Sequence, residues 1–212
     1  MDTDSRFEQI EKAFFADGFR LAMQAVESGL SKEALFLSLE KMYAAIDEFI
    51  DSVSQLAVQN SNPIQCKKGC AYCCHQPVFA LDYEMQFLSS FIKENFSEQK
   101  QKEIKKRVDT NRLKLAGLPR KEILNSKQPC PLLENDACSV YSARPMACRI
   151  YLSTDLNSCR IFYTNPESET SFPALLDLPM RVGRMMNEGF KAALKTNGVV
   201  TKEFRIDEGL FL

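Results

Sequence analysis

The sequence predicts a mainly α fold: a helical bundle carrying an irregular, cysteine-rich region organised by metal. Three observations lead there. Apolar residues recur at helical spacing towards both ends of the chain, no βαβ alternation or internal repeat interrupts them, and between Lys127 and Ser171 the periodicity dissolves into Pro, Cys, Asn and Ser. A structureless loop of roughly forty residues is rare in a compact chain unless something else holds it. Metal-bound cysteines would do so, because metal binding supplies folding free energy directly.

Residues 4–29 read as a first helix, capped by Asp4, with Phe7, Ile10, Phe14, Leu21 and Ala25 on one face and Gly29 at its end. Ser31 caps a second helix, whose apolar positions Leu35, Leu39, Met42, Ile46, Phe49, Val53 and Leu56 form a heptad seam. Packing of this seam within a hairpin over residues 1–60 is the expected use, and self-association the alternative. Asn60, Asn62 and Pro63 break the helix. Asp82 starts a third helix, with Met85, Leu88 and Ile92 on one face and Phe87 and Phe91 beside it; Ser97 caps a fourth that reaches about Ala116. Residues 98–121 hold nine Lys or Arg against three acids, which reads as a solvated face, with docking of a protein partner through helix 98–116 as the alternative. Pro173 opens a further helical region through Lys195, interrupted near Pro179, with Val182, Met185, Met186, Phe190 and Leu194 on its apolar side. The tail has room for one short strand. The expected organisation is a hairpin (1–60), a cysteine-cluster region with inserted helices (61–165), and a C-terminal helix and tail (166–212) packing on the same domain.

Bulk properties narrow the function. The chain of 212 residues, 45% hydrophobic with fifteen Phe, can fill a sizeable core. A net charge of −1, from 27 basic and 28 acidic residues, argues against a dedicated nucleic-acid binder. The start, MDTDSRFEQIEKAFF, lacks the pattern of a signal peptide, and no apolar run approaches the ~20 residues of a membrane span, so a cytoplasmic protein is expected. In a reducing compartment, eight cysteines read as metal ligands rather than disulfides.

Those cysteines fall in two groups: Cys66, Cys70, Cys73 and Cys74 (CKKGCAYCC), then Cys130, Cys138, Cys148 and Cys159. Four thiolates are the usual complement of one structural zinc or one iron–sulfur cluster. The spacing Cys66-x3-Cys70-x2-Cys73 matches the radical S-adenosylmethionine signature, but helices and loops follow where a partial βα barrel would be needed, and Cys74 abuts the motif. The adjacent pair Cys73-Cys74 points its side chains in different directions, which suits service to two centres or a bridge between metals; one four-cysteine site with spare thiols is the competing reading. Gly69 permits a tight turn beside Cys70. Arg144, Arg149, Arg160 and Lys67 or Lys68 can offset thiolate charge, and Tyr141 and Tyr151 read as packing near the sulfurs. His75, the only histidine, reads as a donor beside the ligands rather than one of them. Neither a Ser/His/Asp set nor a phosphate-cradling glycine loop is present. Asp82 and Glu84 read as a helix start.

The pattern CKKGCAYCC, then CPLL, then CSVYSARPMACRIY and a final Cys strongly resembles the YkgJ-type cysteine-cluster family, described as zinc- or iron-chelating proteins. The match spans about residues 66–160, takes in all eight cysteines and Arg144-Pro145, and fits Glu84 to an acidic position after the first group. The resemblance implies a partner that is a metal ion or cluster. A similar cluster in flagellin lysine N-methylases allows a link to protein methylation. Three functions stay open: a metal-binding protein holding iron–sulfur or zinc, with Cys130-Pro131 tilting towards iron–sulfur; an iron–sulfur-dependent enzyme; and a zinc-stapled interaction module.

Overall fold

The structure, a computed structural model, describes residues 3–67 and 69–212, with side chains from Arg6 onwards; the Asp4 side chain expected to cap the first helix, and Lys68 with the role weighed for it, lie outside what is described. The elements run α1 (Thr3–Glu27), α2 (Lys32–Gln59), a 3-10 turn (Tyr72–His75), β1 (Phe79–Leu81), α3 (Asp82–Asn95), α4 (Glu98–Leu115), α5 (Arg120–Asn125), β2 (Leu133–Glu134), β3 (Ala137–Cys138), a second 3-10 turn (Tyr141–Ala143), α6 (Met146–Arg149), α7 (Leu156–Thr164), α8 (Asp177–Thr196), β4 (Glu203–Arg205) and α9 (Ile206–Gly209). The fold is mainly α, and the chain divides into two compact units.

The helical unit comprises residues 1–63, 149–152 and 176–202. Its helix ends follow local chemistry. Gly29 takes φ 83°, letting its N–H reach Val26 O while Leu30 N–H reaches Ala25 O, a Schellman closure of α1. Ser31 Oγ then accepts from Ala34 N–H at 3.2 Å and opens α2. The two helices run antiparallel, with Lys41 bonded to Gln24 and Phe14 edge-on to Phe49. Leu39, Met42 and Ile46 of the seam are fully buried, whereas Leu56 is exposed. Helix α8 lies parallel to α1: Arg181 bonds Glu11 near one end, and Asn197 meets Met23 near the other. The helices approach through reciprocal glycines. A methyl at Gly18 would sit 1.9 Å from Met186 O, and one at Gly189 would sit 2.0 Å from Phe15 O. Ala22 and Ala25 on α1 and Ala193 on α8 are buried with no exposure. Pro179 does not interrupt α8. It lies in the first turn, where its missing N–H would have no intrahelical partner anyway.

The cysteine unit comprises residues 64–148, 153–175 and 203–212. Its core gathers Met85, Leu88 and Ile92 from α3, Ile104 and Val108 from α4, Leu132, Val140 and Ala143 from the loop, and Ile206 and Leu210 from the tail. Ser97 Oγ caps α4 through Lys100 N–H. The tail supplies the expected short strand: β4 pairs antiparallel with β1, Phe79 opposite Arg205 and Leu81 opposite Glu203. The basic stretch around α4 is not simply a solvated face. Lys100 and Arg107 pair with Glu134, Arg107 also donates to Pro131 O (2.8 Å), and Arg112 donates to the carbonyls of Asp207, Glu208 (2.8 Å) and Leu210 (2.9 Å). These cations hold the chain's own loop and tail. The stretch from Lys127 to Ser171 also carries more structure than its sequence announced. It holds the β2–β3 hairpin, whose Asn135 and Asp136 both take positive φ (46° and 58°), and helix α7, capped by Asp155 Oδ1 on Asn157 and Ser158 N–H. The α7 sequence LNSCRIFYT lacks an apolar period long enough to be read as a helix.

Candidate metal centre

The first cysteine segment is shaped by turns. Cys70 N–H reaches Lys67 O at 3.0 Å, with Gly69 at φ 96° in the left-handed region that a side chain would strain. The 3-10 turn follows, Cys74 N–H bonding Ala71 O at 2.9 Å. With three residues per turn, the Cα–Cβ bonds of Cys73 and Cys74 leave the backbone roughly 120° apart, yet the two thiols come back within hydrogen-bond reach of each other. Ahead of this turn, Gln65 N–H bonds Ser153 O (2.9 Å), and Ser153 N–H donates to Cys66 Sγ at 3.2 Å. Ser153 is itself fixed by its hydroxyl, which donates to Ala174 O at 2.7 Å.

The second segment is tied to the first through the backbone: Cys130 N–H bonds Cys74 O at 2.7 Å. Cys138 lies on β3 opposite Leu133, and Ser139 N–H closes on Leu132 O. Cys148 sits on α6, whose start is held by Glu84. That carboxylate is only 2% exposed and accepts from Leu81 N–H (3.0 Å) and from Met146 N–H (2.7 Å). Glu84 therefore starts its own helix, as its position suggested, and also anchors a turn 62 residues away. Cys159 comes in on α7, and one turn further on Tyr163 packs on His75 (ring centroids 4.8 Å apart) and Tyr72 (5.8 Å).

All eight cysteines lie outside disulfides and are half-buried. Burial pushes the Cys66 thiol up to about 11 and the Cys130 thiol to about 12, and raises Cys70, Cys138 and Cys148 as well; for Cys73 the leading cause is its hydrogen bond with Cys74. Backbone amides work in the opposite direction. Ser153 N–H points at Cys66 sulfur, Tyr72 at Cys70, Leu132 at Cys130 and Val140 at Cys138, each favouring the thiolate. Three of these come from the residue two positions after the cysteine. Arg144 adds positive charge towards Cys73, Cys138 and Cys148, and Lys67 towards Cys70. Tyr141 lies under Arg144, its ring centre 3.6 Å from the guanidinium carbon.

Other singled-out residues are placed differently. Arg149 belongs to the helical unit, where it pairs with Asp47 and stacks on Tyr43. Arg160 bonds exposed Asn157. His75 donates Nδ1–H to Ala71 O at 3.0 Å. Among the described residues, no three His, Cys, Asp or Glu side chains converge tightly enough to hold an ion as they stand. The thiols are gathered but not closed. Thiols outside disulfides, with backbone amides and the Arg144 charge beside them, nonetheless fit a thiolate-bound metal, since the same groups that offset thiolate charge would support its ligation.

Fold and site together define a helical protein with a cysteine-rich chelating domain. The chain belongs to the CxxCxxCC family, described as "Putative zinc- or iron-chelating domain", whose family model matches residues 65–175 and so more than half the chain. No curated protein and no solved structure matches it. Among the described residues, no helix is long and apolar enough to cross a membrane.

Proposed function

We propose that the protein holds iron–sulfur or zinc through the thiolates of Cys66, Cys70, Cys73, Cys74, Cys130, Cys138, Cys148 and Cys159, with iron–sulfur the favoured cargo. The observation that carries this reading is the set of eight half-buried thiols outside disulfides, with the Ser153 backbone N–H donated to Cys66 Sγ at 3.2 Å. An apolar packing role for cysteine gives no reason for that donation. Four thiolates leave either a Zn²⁺ or a [4Fe–4S]²⁺ core with a net charge of −2. Amide dipoles, Arg144 and Lys67 reduce the cost of gathering that charge. Cys130-Pro131, a pairing found in ferredoxin-type cluster sequences, supports iron–sulfur over zinc. All-thiolate ligation supplies redox capacity if the cargo is iron–sulfur and structural closure if it is zinc.

The test is purification of the full chain without oxygen, with visible absorption and assays of iron, sulfide and zinc. A brown protein with matching iron and sulfide is the expected result. A colourless protein with stoichiometric zinc would replace the cargo but keep the ligands. No metal, with the thiols paired as disulfides, would overturn the reading.

A further inference from the structure

We infer that the eight cysteines form two metal sites that cross the order of the sequence: Cys66, Cys70 and Cys159 with one member of the Cys73-Cys74 pair, and Cys130, Cys138 and Cys148 with the other. This rests on the metal-holding reading above. The spacing along the chain divides the cysteines differently, into residues 66–74 and 130–159, with Cys159 in the later group.

Three contacts carry Cys159 to the first segment. Ser153 N–H meets Cys66 Sγ at 3.2 Å, Leu156 N–H meets Gln65 Oε1 at 3.0 Å, and Tyr163, one helical turn after Cys159, packs on His75 and Tyr72. Helix α7 thus lies on the 3-10 turn with Cys159 on the face that meets it. The other three cysteines have a separate frame. Cys130 precedes the β2–β3 hairpin and Cys138 lies on its second strand, where Leu133 N–H closes on Cys130 O and Cys138 pairs with Leu133. Cys148 is brought in on α6, which Glu84 pins through Met146 N–H.

The 3-10 turn places the vicinal pair between the two frames: it follows Cys66 and Cys70 directly in the chain, and Cys74 O accepts from Cys130 N–H at 2.7 Å. Cys73 and Cys74 thus stand at the seam, where each can supply the fourth sulfur of one set.

The experiment counts metal centres in the full-length protein by native mass spectrometry and elemental analysis, using the metal it carries as purified, with circular dichroism as a check on folding. Cys159→Ser, Cys66→Ser and the double variant Cys66→Ser/Cys159→Ser are each expected to lose the same half of the metal. Cys148→Ser/Cys159→Ser is expected to lose all of it. The assignment is overturned if Cys148→Ser/Cys159→Ser keeps half while Cys66→Ser/Cys159→Ser loses all, or if the wild type carries a single centre. A wild type without metal would instead overturn the proposed function itself. A second measurement needs no variant: stepwise chelation of the wild type with mass-mapped alkylation. Cys66, Cys70 and Cys159 should become reactive in one wave and Cys130, Cys138 and Cys148 in another. Exposure of Cys159 together with Cys130 and Cys138 would overturn the division.

Discussion

The helical unit and the cysteine unit are held by different means. In the first, α1 and α8 meet backbone to backbone across Gly18 and Gly189, and both helices carry alanines with no exposed surface. Nothing there calls for a ligand. In the second, a hydrophobic cluster of α3, α4 and the tail is present, but the segments that carry the cysteines are joined by scattered hydrogen bonds and ion pairs: Cys130 N–H to Cys74 O, Gln65 N–H to Ser153 O, Ser153 N–H to Cys66 Sγ, Leu156 N–H to Gln65, Arg107 to Pro131 O and Glu134, Met146 N–H to Glu84. Such bonds contribute about 1 kcal/mol each. Ordering several irregular residues costs about 1–2 kcal/mol apiece, so these links alone do not hold the loops. On the proposed metal-holding reading, metal completes the cysteine unit and the helical unit does without it.

The largest expected effect comes from removing the metal. Structural thiolate sites contribute on the order of 10 kcal/mol. Chelation under reducing conditions should therefore melt the cysteine segments at a lower temperature, while the α1–α8 packing keeps its transition; calorimetry with and without chelator checks this, and a single transition that moves as one would break the contrast. Next come the glycines. Gly189→Ala places a methyl where Phe15 O now lies and should destabilise the helical unit by about 1–3 kcal/mol with metal content unchanged. Denaturant titration with metal assay measures both. Glu84→Ala leaves the N–H groups of Leu81 and Met146 without their present acceptor, a loss of about 1–3 kcal/mol confined to the cysteine unit, and should loosen metal held at Cys148. Equal metal retention in wild type and variant under a chelator challenge would detach Glu84 from the site.

The smallest effect is a pH dependence. Cys66 and Cys130 titrate at about 11 and about 12 when folded, against 9.0 for an ordinary thiol. A pKa raised by folding leaves stability intact below the unfolded value and erodes it as pH climbs towards the folded one. Metal-free protein should thus weaken between about pH 9 and 12, whereas metal-loaded protein, with its thiols already ionised, should not weaken from this cause. Melting curves of both forms across that range test the sign.

What the sequence disclosed and what it withheld divide along the same physical line. Ser31, Ser97 and Gly29 were legible because a cap is satisfied within a few residues. The eight ligand candidates were legible by type and spacing. Ser153 was not, because its N–H matters only once Cys66, 87 residues earlier, is beside it. Arg112 reads as one more surface cation until the tail carbonyls come to it. Helix α7 hid behind a sequence with no long apolar period, and with it went the placement of Cys159. Pro179 looked like a break because its register in α8 depends on where the helix starts.

Hydrogen exchange of the full chain, metal-loaded against metal-stripped, addresses the central claim most directly. Stripping should remove protection at the amides of Tyr72, Leu132, Val140 and Ser153, which face sulfur, while Ala22, Ala25, Phe190 and Ala193 keep theirs. Unchanged protection at the first four, or equal loss at all eight, would contradict the view that metal holds the cysteine unit alone.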